Sequence, residues 1–396
     1  MTASRVTAYI AGATRTAGGK KNGRLSRTHP SDLGGYVLDA LVARTGVDPK
    51  LIDDVIFGCV SQNGAQAGNV ARNCVLSSKL PESVPGTSVD RQCGSGQQAL
   101  HFAVQAVMSE TQDIVIAGGV EVMSKVPIGS NIVDSLKAGH GQPWDGERIL
   151  ARYPGVKFSQ FTGAEMLARK HELTREQLDE FAYASHAKAA AAQKAGHFSR
   201  EVAPVDVVLE SGEKVTHDSD EGVRPDASLE KMRTLLPLVE GGLLTAATSS
   251  QICDGAAALL VANERGLKAA GLVPRARIHT LSVVGDDPVI MLEGPIPATQ
   301  KALARAGMKI EDIDLYEVNE AFAPVPLAWA KALGADTKRL NVNGGAMALG
   351  HPLGATGAKL ITTLLHELER IQGRYGLLAI CEGGGTANCT IIERLD

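Results

Sequence analysis

The chain has 396 residues, of which 44% are apolar and 21% are charged, with 43 glycines and 17 prolines. This length exceeds the usual size of one hydrophobic core and predicts two or more packed domains. The composition is ordinary for a soluble α/β enzyme and excludes a disordered or fibrous protein. A formal net charge of -4 and a pI near 6.2 give no general reason to expect nucleic acid or an anionic membrane as a partner.

Neither end of the chain carries a recognisable targeting signal. Residues 1–12 lack the basic start and apolar stretch of a secretory signal, and no apolar run approaches the roughly 20 residues that a membrane-spanning helix needs. The last four residues, 393–396, do not form a peroxisomal Ser-Lys-Leu type of signal. We therefore expect the whole chain to be the mature protein and its location to be cytoplasmic.

The six cysteines are scattered singly, without a Cys-x-x-Cys pair. They are Cys59, Cys74, Cys93, Cys253, Cys381 and Cys389. This spacing indicates neither a zinc site nor a disulfide framework, so we expect no metal and six reduced thiols. We interpret four of them as small buried hydrophobic residues, whereas Cys93 and Cys381 stand in motifs of their own.

Two parts of the chain repeat one pattern at an offset of 261 positions. The matching pairs are Ala43–Gly46 with Ala304–Gly307, Gly96 with Gly357, and Glu121 with Glu382. Each part is predicted to contain an amphipathic helix, a short buried strand, a glycine-rich turn into a helix, and a buried strand that ends in glycines. The sequence therefore predicts a duplicated α/β fold built in layers.

The region between the two repeats has a different texture. It contains a strongly helical stretch, Arg175–Ala195, with Thr174 as its predicted cap and Gly196 as its stop, among loop-like segments. Long irregular segments inside compact enzymes are usually functional. We predict an N-terminal half at residues 1–121, an inserted loop domain at 122–250 that covers the site, a return to the N-terminal half at 251–274, and a C-terminal half at 275–396.

Cys93 lies in a Cys-Gly-Ser-Gly motif between a β-branched approach and a helical run. Such a position fits a nucleophile on a strand-to-helix turn, where the helix N-terminus favours the thiolate and backbone amides face an incoming carbonyl. The local pattern alone fits a catalytic thiol and a structural thiol equally well.

Three further motifs follow in the second half of the chain. Asn319 comes directly after the predicted strand Leu315–Val318, where it could orient a water or a ring nitrogen, although on its own it fits a turn or cap better. His351 stands among glycines and before Pro352, which would present its ring to a substrate without crowding. Cys381 ends a buried strand before three glycines, which suits either an oxyanion hole or a tight turn with a buried thiol.

Taken together and in this order, the four motifs resemble the thiolase family over essentially the whole chain. Cys93 stands where the family has its acylated cysteine, Asn319 is the asparagine of an Asn-Glu-Ala-Phe motif, His351 belongs to Gly-His-Pro, and Cys381 is the second cysteine. The resemblance implies duplicated α/β/α layered halves with an inserted loop domain, assembled as a homodimer or homotetramer. It also implies reversible, ping-pong cleavage or Claisen condensation of 3-ketoacyl-CoA, with acetoacetyl-CoA or a longer substrate. Coenzyme A would be a substrate, and no cofactor would be needed.

The resemblance also assigns roles. In the degradative direction, His351 would activate the Cys93 thiol, the thiolate would attack the 3-keto carbon, and Cys381 would protonate the departing acetyl-CoA carbanion. Coenzyme A would then take the acyl group from Cys93. Asn319 would hold a water that, together with the His351 ring, stabilises the thioester oxygen. The amides of Cys93 and Gly383 would form a second hole for the tetrahedral intermediate.

For the substrate, the resemblance points to four residues. Ser250 matches a serine that contacts pantetheine, Arg224 is similar in placement to an arginine beside the nucleotide, and Met291 and Phe322 match apolar residues at the acyl end. The segment Ser159–Gly163 departs from the His-Met-Gly sequence of short-chain biosynthetic relatives, which puts a strict preference for acetoacetyl-CoA in doubt.

A second departure lies after the triple glycine, where Thr386-Ala387-Asn388 replaces a common Met-Gly pair and alters the surroundings of Cys381. Three other classes are less consistent with the sequence. Decarboxylating ketoacyl synthases have no cysteine base like Cys381, a non-catalytic acyl-CoA-binding relative would have lost at least one motif residue, and a purely structural oligomer would leave the glycine-rich tracts without a reason.

Overall fold

A computed structural model of the chain describes residues 6–396. Its strands are β1 Tyr9–Thr16, β2 Gly19–Lys20, β3 Asp54–Gly58, β4 Gly86–Val89, β5 Ile114–Val122, β6 Val202–Ala203, β7 Val205–Val208, β8 Lys214–His217, β9 Cys253–Ala262, β10 Ala276–Gly285, β11 Leu315–Val318, β12 Tyr375–Glu382 and β13 Thr386–Arg394. Its α-helices are α1 Pro30–Thr45, α2 Val70–Leu76, α3 Ser95–Met108, α4 Ser130–Lys137, α5 Glu147–Arg152, α6 Gln160–Lys170, α7 Arg175–Lys194, α8 Leu229–Arg233, α9 Glu264–Ala270, α10 Pro295–Ala306, α11 Pro324–Leu333, α12 Ala346–Leu349 and α13 Thr356–Ile371.

The sheet confirms the duplicated fold. Its strand order is β11-β12-β13-β10-β1-β9-β5-β3-β4, with β10 and β1 joined at the middle. In the first half, β3 pairs parallel to β5, which is antiparallel to β9, which is antiparallel to β1. In the second half, β11, β12, β13 and β10 repeat the same sequence of one parallel and two antiparallel pairings. The two halves therefore share one topology.

Three hydrophobic clusters show how the layers stack. One lies between the first half of the sheet and the outer helices α1 and α2. Another lies between the second half and the outer helices α10 and α11. The third joins both halves of the sheet to α3 and α13, which form a central layer. In that layer Leu100 and Ile361 are fully buried, and each such side chain contributes about 1.5–3 kcal/mol by leaving water.

The central helices touch at their N-terminal ends. Gly96 in α3 and Gly357 in α13 are the glycines that the 261-residue offset pairs, and each faces the other helix. A Cβ at Gly357 would overlap the backbone of Gln97, and one at Gly96 would lie 2.7 Å from the Gly354 carbonyl oxygen. Because neither position has room for a side chain, the two helix starts can meet where the motif cysteine and histidine also lie.

The inserted region contributes both helices and strands to the fold. Its β6 joins the main sheet beside β1, while β7 and β8 form a separate hairpin. The predicted helix is confirmed as α7, which begins at a capping box on Thr174 and ends before Gly196. The domain boundaries at 121, 250 and 274 stay predictions.

Across residues 6–396, none of the helices combines the length and the apolar character that crossing a bilayer would require. The expectation that residues 1–12 carry no secretory signal falls partly on residues 1–5, which lie outside the described residues.

Candidate active site

Cys93 sits in a tight turn between β4 and α3. Gln92 adopts a positive φ of 48°, and Gly94 is the residue directly before the helix. The Ser95 hydroxyl fixes this turn, because it donates to the Gln92 carbonyl at 2.6 Å and accepts from the Arg91 amide at 2.8 Å. The strand-to-helix turn predicted for Cys93 is confirmed.

Cys93 is the one motif cysteine with partial exposure. All six cysteines are free thiols, and the other five are buried, as the scattered spacing predicted. The expectation that the helix N-terminus favours a Cys93 thiolate stays a prediction, and other influences act in the opposite direction. Burial, followed by the nearby carboxyls of Glu382, Glu121 and Asp90, raises the pKa of Cys93 to about 12. The resting residue is a thiol that needs a base.

His351 is held on both sides of its ring. Its Nδ1 lies 2.6 Å from the Thr356 hydroxyl, and that hydroxyl donates to the Pro352 carbonyl at 2.9 Å. The hydroxyl has one hydrogen, so Nδ1 carries the ring proton and Nε2 carries a lone pair, which accepts a hydrogen bond from Asn319 Nδ2. Burial, and then the buried Lys359 cation, lower the pKa of His351 to about 3. The ring is neutral at physiological pH and its Nε2 can accept a proton.

Asn319 faces that lone pair. Asn319 follows β11, and its backbone amide donates to the Ala379 carbonyl at 3.0 Å. Its side-chain Nδ2 lies 3.3 Å from Nε2 of His351. Its side-chain oxygen is buried and has no hydrogen-bond partner among the described residues. Ala379 belongs to β12, two residues before Cys381, so Asn319 connects the histidine segment to the second cysteine.

Cys381 is fully buried near the end of β12. Burial, followed by the neighbouring Cys93 and Glu382, raises its pKa well above the usual value. After this strand, Gly383 packs beside Gln92, because a Cβ there would lie 3.0 Å from Gln92 Oε1. The glycine turn therefore lies against the turn that carries Cys93.

A short segment joins the histidine, the asparagine and the proposed substrate residues. The Ser250 amide donates to the Ala321 carbonyl at 2.9 Å, and the His351 amide donates to the Gln251 carbonyl at 3.1 Å. Cys93 packs against a small apolar cluster that contains Leu353, two residues after the histidine. The four motifs, which are far apart in the sequence, thus lie side by side.

Arg224 lies in a pocket of about 220 Å³ next to this segment. The pocket is lined by basic, acidic, small polar and apolar side chains, including Lys231, Asp226 and Ser249. The backbone amide of Arg224 donates to Nδ1 of His186 at 3.2 Å, a contact within the inserted region. The structure therefore connects the predicted nucleotide residue and the Ser250 segment through one pocket.

The predicted acyl-end residues share one apolar cluster. Met291 and Phe322 are both buried in the core of the second half. The ring of Phe161 packs edge-on against Phe322 with centroids 5.5 Å apart, while 43% of Phe161 stays exposed. Phe161 lies in the segment that departs from short-chain relatives, and it carries the apolar surface from the buried ring to the outside.

Three side chains around the motifs were not assigned a role at the site from the sequence. Thr356 orients the histidine, and its position five residues after His351 at a helix start was a usable signal. Glu320 accepts from Ser185, Asn341 and the Met347 amide, which ties the inserted domain to two motif segments. The third is Glu382, for which the duplication was the only signal.

The comparisons with known proteins agree with the fold. Residues 8–265 match the model of the thiolase N-terminal domain, and residues 272–394 match the model of the thiolase C-terminal domain. The chain is 54% identical to a steroid 3-ketoacyl-CoA thiolase of Mycobacterium tuberculosis, over 98% of this chain and 94% of that protein. It is 42% identical to a 3-ketoacyl-CoA thiolase of Yersinia pestis, over 98% and 99% of the two chains.

A solved structure agrees as well. The acetyl-CoA acetyltransferase of Bacillus anthracis superposes with a TM-score of 0.90 at 36% identity, over 99% of this chain and 100% of that one. The chain belongs to the thiolase family.

Proposed function

We propose that this thiolase-family acyltransferase cleaves 3-ketoacyl-CoA with coenzyme A, and forms it by condensation, through an acyl group carried on Cys93. The observation that supports this most is the contact of Asn319 with Nε2 of a neutral His351, in a cluster that also holds Cys93 and Cys381. The unprotonated Nε2 can take the thiol proton in place of the hydrogen bond from Asn319, which makes it the base that a protonated thiol needs.

The proton steps follow from the protonation states. Nε2 of His351 takes the Cys93 proton, and the resulting thiolate attacks the 3-keto carbon. The bond between C2 and C3 then breaks, and Cys381 gives its proton to the acetyl-CoA carbanion. The thiol proton of incoming coenzyme A then passes to the Cys381 thiolate, the coenzyme A sulfur takes the acyl group, and the released Cys93 thiolate recovers its proton from Nε2 of His351. In condensation the steps reverse, and the Cys381 thiolate removes an α-proton.

Two sets of donors would stabilise negative oxygen. The unpartnered Asn319 oxygen can accept from a water, which would donate to the thioester oxygen beside the His351 ring. The amides of Cys93 and Gly383, whose turns lie together, would bind the tetrahedral oxyanion. One such donor typically contributes about 2.7–4 kcal/mol in the transition state.

Coenzyme A would extend from the cluster along the Ser250 segment to Arg224, and the acyl group would lie toward Met291 and Phe322. The similarity to a steroid 3-ketoacyl-CoA thiolase favours a substrate longer than acetoacetyl-CoA. The exposed ring of Phe161 against Phe322 supports the same preference.

We also propose that the reaction needs no cofactor or metal, that the enzyme is a homodimer or homotetramer, and that it is cytoplasmic. Among residues 6–396, no cluster of three or more His, Cys, Asp or Glu side chains could hold a metal ion. Turnover after dialysis against a chelator, together with sedimentation equilibrium and cell fractionation, tests these three points.

The experiment that tests the function is coenzyme A-dependent cleavage of 3-ketoacyl-CoAs of increasing chain length under reducing conditions. We expect cleavage to rise beyond acetoacetyl-CoA, and a Cys93→Ala variant to lose it while still binding coenzyme A. Cleavage confined to acetoacetyl-CoA would restrict the substrate class. No cleavage of any member, or covalent acylation that persists in Cys93→Ala, would contradict the proposal.

A further inference from the structure

Glu382 is a buried carboxyl with an incomplete set of partners. It follows Cys381 at the end of β12 and is fully shielded from solvent. Its Oε2 accepts a hydrogen bond of 2.6 Å from the Thr386 hydroxyl. Its Oε1 has no partner among the described residues and lies directly over Gly94, where a Cβ would overlap it. A polar oxygen left unpaired in a buried site is costly, so its presence requires a reason.

The other half of the chain shows what a structural glutamate at this position looks like. Glu121 is the counterpart of Glu382 at the 261-residue offset and also ends a buried strand. Its carboxylate accepts from the amides of Val60, Ser61 and Gly354 and from the side chain of Gln66, at 2.8–3.0 Å. One copy of the duplicated glutamate is saturated with donors, whereas the copy at the active site has a single donor.

The groups that face Glu382 come from two elements besides its own. From the turn before α3 come Cys93 and the Arg91 cation, and Asp90, one residue before Arg91, acts on Cys93; Cys381 precedes Glu382 on its own strand β12. Among residues 6–396, Thr386 on β13 is the only hydrogen-bond donor to Glu382. Burial outweighs Thr386 and Arg91 and raises the pKa of Glu382 to about 8. The carboxyl is therefore neutral below that pH and ionised above it.

We propose that Glu382 controls when Cys93 can carry negative charge: the neutral carboxyl permits the thiolate, and the ionised carboxyl opposes it. This inference rests on the proposed role of Cys93 as the nucleophile. Like charges in a poorly solvated site repel strongly, and the Glu382 carboxylate is the acidic neighbour that raises the Cys93 pKa most. Glu382 acts through Cys93 and is a positioning residue, not a group that reacts itself.

The neutral state of Glu382 also suits the later steps of the proposed cycle. In the proposed cycle negative charge moves from Cys93 to the substrate and then to Cys381, and both cysteines lie near Glu382. His351 stays neutral across the neutral and alkaline range, because its pKa is about 3. Glu382 is thus the group near the nucleophile whose charge changes between pH 7 and pH 9.

The test measures alkylation of Cys93 by iodoacetamide between pH 6.5 and pH 9.5, with the modified residue identified by mass spectrometry. Below the pKa of a thiol, the alkylation rate rises about tenfold for each unit of pH, because the thiolate fraction rises by that factor. Ionisation of Glu382 raises the pKa of Cys93, so the wild-type profile should flatten above pH 8. In Glu382→Gln, which keeps the shape and stays neutral, we expect equal rates at pH 6.5 and a rate about tenfold higher at pH 9.5. A ratio that is constant across the range would be a structural effect and would overturn the proposal.

Two more variants make the result specific. Asp90→Asn removes the other nearby carboxyl of this turn, and we expect a change in rate that does not vary with pH. Arg91→Gln removes the cation that lowers the Glu382 pKa, so the break in the profile should move to higher pH. If Glu382→Gln does not fold, the Arg91→Gln shift still decides the question, and an unmoved break would contradict the proposal.

The readout is independent of turnover. A protein that alkylates at Cys93 with the expected break but cleaves no 3-ketoacyl-CoA would contradict the proposed function and support the role of Glu382. Labelling at a cysteine other than Cys93 would contradict the nucleophile assignment on which this inference rests.

Discussion

Thr356 and His351 form the shortest hydrogen bond around the proposed base, with 2.6 Å between the hydroxyl oxygen and Nδ1. Because the hydroxyl gives its own hydrogen to the Pro352 carbonyl, the ring must carry its proton on Nδ1. A side chain at the first residue of α13 thus selects which ring nitrogen is basic.

Replacing Thr356 with valine should leave the shape of the helix start but remove this selection. We expect the rate of Cys93 acylation, measured by rapid mixing with a 3-ketoacyl-CoA, to fall on the order of 10- to 100-fold. Thr356→Ser keeps the hydroxyl and should retain most of the rate. Equal rates in the valine and serine variants would show that the hydroxyl does not orient the ring.

Cys381→Ala separates the two half-reactions. Acylation of Cys93 by a simple acyl-CoA needs no proton on the leaving carbon and should survive, whereas condensation with acetyl-CoA should fall by at least about 100-fold, because no base removes the α-proton. Radiolabel transfer to the protein and condensation assayed side by side measure both. Normal condensation in this variant would require a different proton carrier.

Arg224→Ala should weaken binding of the nucleotide end alone. The residue lines the pocket beside the Ser250 segment and makes no hydrogen bond to the motif residues. We expect the KM for coenzyme A to rise about tenfold, which corresponds to about 1.4 kcal/mol. Turnover with a pantetheine thiol, which lacks the nucleotide, should be the same in the variant and the wild type. An equal loss of turnover with coenzyme A and with the pantetheine thiol would show that Arg224 does not bind the nucleotide end.

Phe161→Ala should change substrate choice. Its exposed ring extends the apolar surface of Phe322, so we expect kcat/KM to fall about 10- to 100-fold for long acyl chains and little for acetoacetyl-CoA. Phe102 in α3 is exposed to a similar extent, 39% against 43%, and Phe102→Ala serves as the control. An equal loss across the chain-length series would argue against contact with the acyl group.

Arg15→Met should cost stability. Arg15 is fully buried, donates from Nε to Glu201 at 2.6 Å, and donates to both oxygens of Asp220 at 2.8 and 3.0 Å. Its loss leaves buried carboxylates without a cation, and we expect the free energy of unfolding to fall by about 3–5 kcal/mol at pH 7. Denaturant titration measures this, and Arg265→Met, which breaks an exposed ion pair with Asp113, should hardly move the transition.

The pH dependence of that loss has a definite sign. Burial is the largest single influence and raises the pKa of Asp220, but the attraction of Arg15 and Lys359 and the hydrogen bonds from Arg15 and the Gly18 amide together outweigh it and leave the pKa lowered in the folded protein. The wild type therefore gains stability that is present above the unfolded pKa of about 3.9 and is lost as the pH falls through the lower folded value. Without Arg15, burial dominates and the sign reverses, so the gap between the two proteins should shrink below about pH 5.

Local patterns were enough to predict several elements. The Thr174 cap and the spacing of Leu178 and Ala182 predicted α7, and the apolar run at 315–318 predicted β11, because these signals depend only on neighbouring residues. The 261-residue offset predicted the duplicated topology before any strand pairing was known. The pairing of β10 with β1 was not predictable in this way, since it depends on how the two halves pack.

The contacts of the candidate site were harder to predict. The contact of Asn319 with His351 joins residues 32 positions apart, and no periodicity encodes it. The raised pKa of Cys93 was not predictable, because a helix terminus is visible in the sequence but desolvation and the carboxyl of Glu382 are not. Thr386 was noted as an unusual residue, although its partner Glu382 became apparent only in three dimensions.

The shared central layer also has a consequence for the newly made chain. During synthesis the ribosome releases Cys93 long before His351 and Cys381 exist, and α3 lacks the packing partner α13 that completes its core. Until then no imidazole can draw the proton from that thiol. Cys93 and His351 are thus synthesised at different times. The reactive pair forms only after α13 has been synthesised and has packed against α3.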